Sequence, residues 1–132
     1  MEDKKSTWPT WLAQGDQYLK AGTPKNGRSK FGTGILYNLL SMSMESYIMA
    51  ILDYHKNLPD NHTYTDLVNG LERVMPVNPE LRNRILKYES IQSICSVDKF
   101  LIQEPTDHQI DDLRGAIVEV KDLAYESCPK PV

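Results

Sequence analysis

The residues best suited to hold charge lie in the stretch LRNRILKYE, Leu81–Glu89. On a helix Arg82, Arg84 and Lys87 flank an apolar face, and with Arg73 upstream they make a basic region able to pair with phosphate oxygens. A single acid, Glu45, sits near the middle of a long apolar stretch, and if buried it needs a cationic partner, for which these arginines are the natural candidates. Proton transfer asks for a group that titrates near neutral pH. Of the three histidines, His55 is expected at a helix end, His62 in a turn and His108 in the first turn of a helix. Their spacing makes no metal site, and the ExxH pairing of di-iron bundles is absent.

A second group of cations, Lys20, Lys25, Arg28 and Lys30, surrounds the start of the apolar stretch, where a helix N-terminus favours an anion. Here GTPKNGRS, Gly22–Ser29, differs from the phosphate loop GxxxxGK[ST] by one residue, Arg28 in place of lysine. A phosphate loop needs a preceding strand and a parallel sheet, and an amphipathic helix precedes this one. Cys95 and Cys128 are far apart and stand in no CxxC or Cys/His spacing, so neither a disulfide framework nor a zinc site is indicated.

The chain has 132 residues, 40% hydrophobic and 25% charged, with a formal net charge of -3. That length suits one domain, 1–132 with an ordered core over about 8–126, able to bury roughly two thirds of its unfolded surface. The acidic balance argues against nucleic-acid binding driven by overall charge. MEDKKSTWP lacks the apolar core of a signal peptide, and no uninterrupted apolar run approaches the ~20 residues of a membrane span. The cytoplasm is the expected compartment, with no membrane partner.

The elements that must position these groups are helices. Residues 30–56 predict a long central helix. Leu36, Leu40, Met44, Tyr47, Ile51 and Tyr54 recur at steps of three and four, and Ile35, Leu39, Ile48 and Leu52 widen the stripe. Ser29 or Thr33 can cap its start, and a left-handed Asn57 followed by Leu58 and Pro59 ends it. Before it, a helix capped by Thr7 with Pro9 in its first turn carries Trp8, Trp11, Leu12, Tyr18 and Leu19. It should stop at Ala21, with Gly22 as a left-handed terminator. After it, Thr63 and Asp66 open a short helix bearing Leu67, Val68, Leu71 and Val74. Asn78, Pro79 and Glu80 start another, whose face is Leu81, Ile85, Tyr88, Ile91, Ile94 and Cys95. Phe100, Leu101 and Ile102 read as a plug over one end of the core. Thr106 and Gln109 make a capping box for a last helix with Ile110, Leu113, Ile117, Val120 and Ala124 inside and Asp111, Asp112, Glu119 and Asp122 outside. The tail ESCPKPV is expected to be unstructured. The fold class is all-α: an antiparallel four-helix bundle with an additional short helix.

Three segments carry a resemblance: WLAQGDQYLKAG in the first helix, SMSMESYIMA with its acid in the central one, and NHTYTDLVNGL before the short helix. Together the chain resembles a HEPN domain over roughly residues 8–126, a compact helical bundle of nucleotide-binding proteins. The resemblance implies a HEPN-like homodimer and, as partners, nucleotide or RNA phosphate or a protein such as a nucleotidyltransferase, in the setting of toxin-antitoxin systems. In the family's ribonuclease branch it implies a polar residue on the second helix and an Arg-Asn pair with a His four to six residues after the Arg, meeting across a dimer interface. Glu45 matches the acid and Arg82-Asn83 the pair, but Lys87, Tyr88 and Glu89 stand where His is wanted. Lysine is normally locked in its charged form. The expectation is therefore a non-catalytic binding module without cofactor or metal, any ligand phosphate being held by Arg82, Arg84 and Lys87 near Glu45, with Asn83 and Glu45 completing the ligand-binding positions. Its rivals are a metal-independent endoribonuclease in which Tyr88 or His62 replaces the missing His, and a purely structural or antitoxin-like subunit.

Overall fold

The second helix organises the molecule. In a computed structural model, which describes residues 8–23, 32–59, 61, 63–88 and 105–128, the chain is all-helical, and no strand occurs among the described residues. The helices are α1 (Trp8–Ala21), α2 (Thr33–Tyr54), α3 (Tyr64–Val74), α4 (Pro79–Lys87) and α5 (Asp107–Ser127). Helix α2 packs against α1, α3 and α5, while α4 bridges α3 and α5.

Contact from several sides leaves α2 buried nearly all round from Ser43 to Leu52, with Glu45 the one half-exposed position. Leu36, Leu40, Met44, Tyr47, Ile48, Ile51 and Leu52 are core residues, as their spacing predicts. At the helix ends the stripe emerges from its partners, so Ile35 and Tyr54 are exposed, and Met42 is exposed on the same side as Ile35. By length and composition alone α2 could cross a membrane, but 72% of its most apolar window is buried inside the protein.

Three local expectations are corrected. Helix α1 ends at Ala21, but Gly22 does not terminate it by a left-handed backbone. Gly22 donates to the Tyr18 carbonyl as one more helical turn would, and its missing side chain matters for another reason: a Cβ there would stand 2.8 Å from Cδ2 of Leu40. At the end of α2 the left-handed residue is Lys56, with φ 56°, not Asn57. Asn57 N–H donates to Leu52 and Lys56 N–H to Asp53, the paired bonds of a Schellman turn. Cap His55 puts the left-handed position one residue earlier than the proline suggests. The position before Thr33 is the N-cap of α2, occupied by Gly32 with no side-chain hydrogen bond; Ser29 lies outside the described residues, as does Thr7.

The other helix starts follow the sequence. Thr63 accepts from Asp66 N–H, Asn78 from Glu80 N–H ahead of Pro79, and Thr106 and Gln109 form a full capping box. Each such cap satisfies a donor that would otherwise be orphaned, worth about 1 kcal/mol. Ile110, Leu113, Ile117, Val120 and Ala124 are all buried. The last helix, however, runs further than expected, taking in Glu126 and Ser127. Cys128 is 1% exposed, its thiol directed at the Ala50 carbonyl, so Glu126, Ser127 and Cys128 belong to the folded part rather than to an unstructured tail. An apolar cysteine can close a core as a small hydrophobe. Ile91, Ile94, Cys95 and the Phe100–Ile102 plug lie outside the described residues.

Candidate functional site

Helix α4 starts at a firm cap and points Leu81, Ile85 and, just past its end, Tyr88 into the core. That orientation leaves Arg82, Asn83, Arg84 and Lys87 on its outer flanks. Arg84 and Lys87 are drawn to one acid of α5. Nη2 of Arg84 is 3.4 Å and Nζ of Lys87 3.1 Å from the Asp112 carboxylate. Arg84 also meets Glu119 at 2.6 Å and donates to the Asp112 carbonyl at 3.1 Å. Lys87 lies over the Tyr88 ring, 5.4 Å from its centre. Arg82 turns the other way, to Glu72 of α3 at 3.2 Å, and Asn83 is exposed.

Among the described residues the ion pairs of Arg82 and Arg84 are with acids of α3 and α5, and the Glu45 charge is felt by the Tyr64 hydroxyl. The structure therefore brings Arg84 and Lys87 together, places Arg82 and Asn83 on separate flanks of the same helix, and sets Glu45 on α2 beside the tyrosine that begins α3.

Behind the cations is a run of buried phenols. Tyr37 donates to the Tyr88 carbonyl at 2.9 Å, Tyr64 to Ser41 at 2.7 Å, and Tyr88 to Asp112 at 2.5 Å. A tyrosine ring contributes about as much apolar burial as a leucine, but its hydroxyl must find an acceptor. Burial, and then the hydrogen bond to Asp112, push the Tyr88 hydroxyl well above its ordinary value. Burial does the same to Tyr64. Asp112 moves the other way: the Tyr88 hydrogen bond first, then Lys87 and Arg84, hold its carboxyl below the usual range. Asp112 is thus a fixed anion and Tyr88 a fixed neutral donor at neutral pH.

With its hydroxyl raised, Tyr88 stays protonated near neutral pH and serves as a hydrogen-bond donor to Asp112. His55 is engaged with Ser127 at 3.0 Å, His108 is exposed in the first turn of α5, and His62 lies outside the described residues, as do Lys25, Arg28, Lys30 and Glu89. Among the described residues no three His, Cys, Asp or Glu converge to hold a metal ion.

A second acid is built into the core's edge in a parallel way. Asp16 of α1 accepts from the hydroxyls of Tyr47 and Tyr125, and Lys121 is 3.8 Å away. Burial and the hydrogen bond to Asp16 push the Tyr125 hydroxyl up to about 12. Sequence reasoning missed Asp16, Asp112 and Glu119 as organisers. Acids on the outer stripe of an amphipathic helix look solvated, and only the arrival of Tyr88, Tyr47 and Arg84 from other helices reveals their partners. No protein-family model, curated protein or solved structure matches this chain.

Proposed function

We propose that the chain is a HEPN-like antiparallel four-helix bundle with an additional short helix, acting as a non-catalytic interaction module rather than a nucleotide-turning enzyme. One observation carries this reading: Arg82 and Arg84 are already neutralised by acids of their own chain, and Lys87 shares Asp112 with Arg84. A phosphate arriving at Arg84 would have to displace both a fixed anion and Glu119. Arg84 is then a strut between α4 and α5, and the accessible groups are Asn83 and Lys87, one turn apart on the exposed side of α4. The exposed Ile35 and Met42 on α2, seven residues apart with the half-buried Leu39 between them, give an apolar stripe suited to a partner protein or a second copy.

A direct test is calorimetric titration with ATP and with a single-stranded RNA, alongside cleavage of that RNA in chelator. The expected result is no cleavage, with at most weak binding that fades with salt and with Lys87→Ala. Arg84→Ala should lower thermal stability instead. RNA cleavage lost with Arg82→Ala would replace this reading by the endoribonuclease one. That rival has one observation in its favour: His108 lies one turn before Asp112 on α5, so His108→Ala is the variant that would identify its proton carrier.

A further inference from the structure

On the side of α5 turned away from α4, two stripes face each other across an open groove of ≈370 Å³. One is Asp16, Leu19, Lys20 and Thr23 of α1 and the adjoining turn, at steps of three, one and three. The other is Arg114, Val118 and Lys121 of α5, at steps of four and three. Both spacings keep a helix on one face. Three cations thus line a groove against one acid, in a chain whose formal net charge is -3.

The state of each group decides what the groove can receive. Both oxygens of Asp16 accept tyrosine hydroxyls, from Tyr47 and Tyr125, and the carboxylate faces Lys121. Its two oxygens are thus turned to partners in the wall, and its charge is offset by Lys121 alone among the described residues. Arg114 is held in place by the Gly22 carbonyl at 2.8 Å and by Asp111 at 2.8 Å, which fixes it at the upper end of the groove. Lys20 forms no ion pair among the described residues. The middle of the groove is apolar: Leu19 packs partly against the core, and Val118, 44% exposed, is bare among lysines. An exposed β-branched side chain between cations is a poor surface for water and a good floor for a flat or aliphatic body. The volume lies in the range of small-molecule pockets.

We propose that this groove binds a small organic phosphate, its dianion held chiefly by Lys20, the cation without an ion pair among the described residues, with Lys121 and Arg114 at its flanks still bound to Asp16 and Asp111, and its apolar body on Leu19 and Val118. A phosphate matches better than a monocarboxylate because three cations can share its charge and its several oxygens. The site is independent of the α4 surface and of the interaction reading, since Asp112 and Glu119 occupy the other face of α5.

The test is a two-dimensional amide NMR titration of the full chain at low salt with phenyl phosphate, inorganic phosphate and benzyl alcohol in separate arms. Phenyl phosphate should shift residues 16–23 and 114–121 and bind more tightly than either other probe. Lys20→Gln should weaken it about tenfold, as should Val118→Asp. Both positions are solvent-accessible, so the variants should keep the wild-type dispersion of signals, and Lys121→Gln serves as a third variant of the same kind. The proposal is overturned if phenyl phosphate leaves those residues unmoved. It is equally overturned if inorganic phosphate binds as tightly, which would reduce the groove to an ion atmosphere, or if Lys20→Gln and Lys121→Gln both leave the affinity unchanged.

Discussion

On the α1 side of α5, Asp16 receives the hydroxyls of Tyr47 and Tyr125. On the α4 side, Asp112 receives the hydroxyl of Tyr88 together with the charges of Arg84 and Lys87. Both acids solve the same problem: a wide aromatic ring fills the core while its polar tip needs an acceptor at the edge. They solve it with different chemistry. The first seam is closed chiefly by neutral donors and by close backbone approach, the second by ion pairs over side chains that remain partly wet. Packing should therefore dominate the response of the first seam to change, and pH and salt that of the second.

The largest effect expected is at Gly15. Its missing side chain lets α1 lie against Tyr47, and a Cβ there would stand 2.6 Å from the ring. Tyr47 is fully buried, and Ser43 donates to the Gly15 carbonyl at 2.8 Å, so neither helix can yield cheaply. Gly15→Ala should destabilise by about 3 kcal/mol in denaturant unfolding, despite alanine's better helix propensity. A loss under about 1 kcal/mol would mean that the first seam is looser than the second.

Next come the hydroxyls themselves. Tyr47→Phe and Tyr88→Phe each remove a donor to a carboxylate and keep the ring, at an expected cost of about 1.5–3 kcal/mol. The two should differ in salt dependence. In Tyr88→Phe the pairs of Arg84 and Lys87 with Asp112 carry more of the seam, so added salt should widen its deficit. The Tyr47→Phe deficit should stay flat. Equal salt responses would erase the distinction between the seams.

Acid separates them further. The Asp112 carboxyl is held below its ordinary value by the Tyr88 hydroxyl, then by Lys87 and Arg84. A carboxyl that is more acidic in the folded chain gives its full stabilisation above the unfolded value of about 3.9 and loses it as pH falls through the folded one. Wild type should therefore exceed Asp112→Asn by a constant margin of about 1–2 kcal/mol between pH 5 and 7. That margin should shrink below about pH 4. Tyr88→Phe should narrow the window, because it removes the largest cause of the shift. A margin that grows on acidification would reverse the sign and refute the assignment.

Much of this architecture was legible in the residues. Apolar periodicity located α2 and α5 and most of their buried positions, because a 3.6-residue repeat reports the buried face directly. Caps located the starts of α3, α4 and α5, because Thr63, Asn78 and Thr106 satisfy local donors and need no tertiary help. The site was less legible for the opposite reason. That Arg84 is spent on Asp112 and Glu119 depends on α4 and α5 lying side by side, a contact across 28 and 35 residues. Gly22 and Lys56 show the same limit on a small scale. A glycine before a proline suggests a left-handed turn, but Gly22 is required by Leu40 arriving from another helix, and the left-handed position falls on a lysine.

The smallest effect is the sharpest probe of the second seam. Gly115 lies on α5 where a Cβ would stand 3.1 Å from Nη2 of Arg84, a steric demand similar in kind to that at Gly15 but made of the far end of a flexible side chain. Arg84 can withdraw from the Asp112 carbonyl and keep Glu119, so the lost contact should be nearly offset by the roughly 1 kcal/mol that alanine adds within a helix. Gly115→Ala should thus change stability by no more than about 0.5 kcal/mol. In an Arg84→Ala background the same substitution should become stabilising by about 1 kcal/mol, because nothing then resists the new methyl. If Gly115→Ala costs more than about 2 kcal/mol, Arg84 is as rigidly seated as Tyr47, and ion pairs at this seam do the work that close packing does at the other.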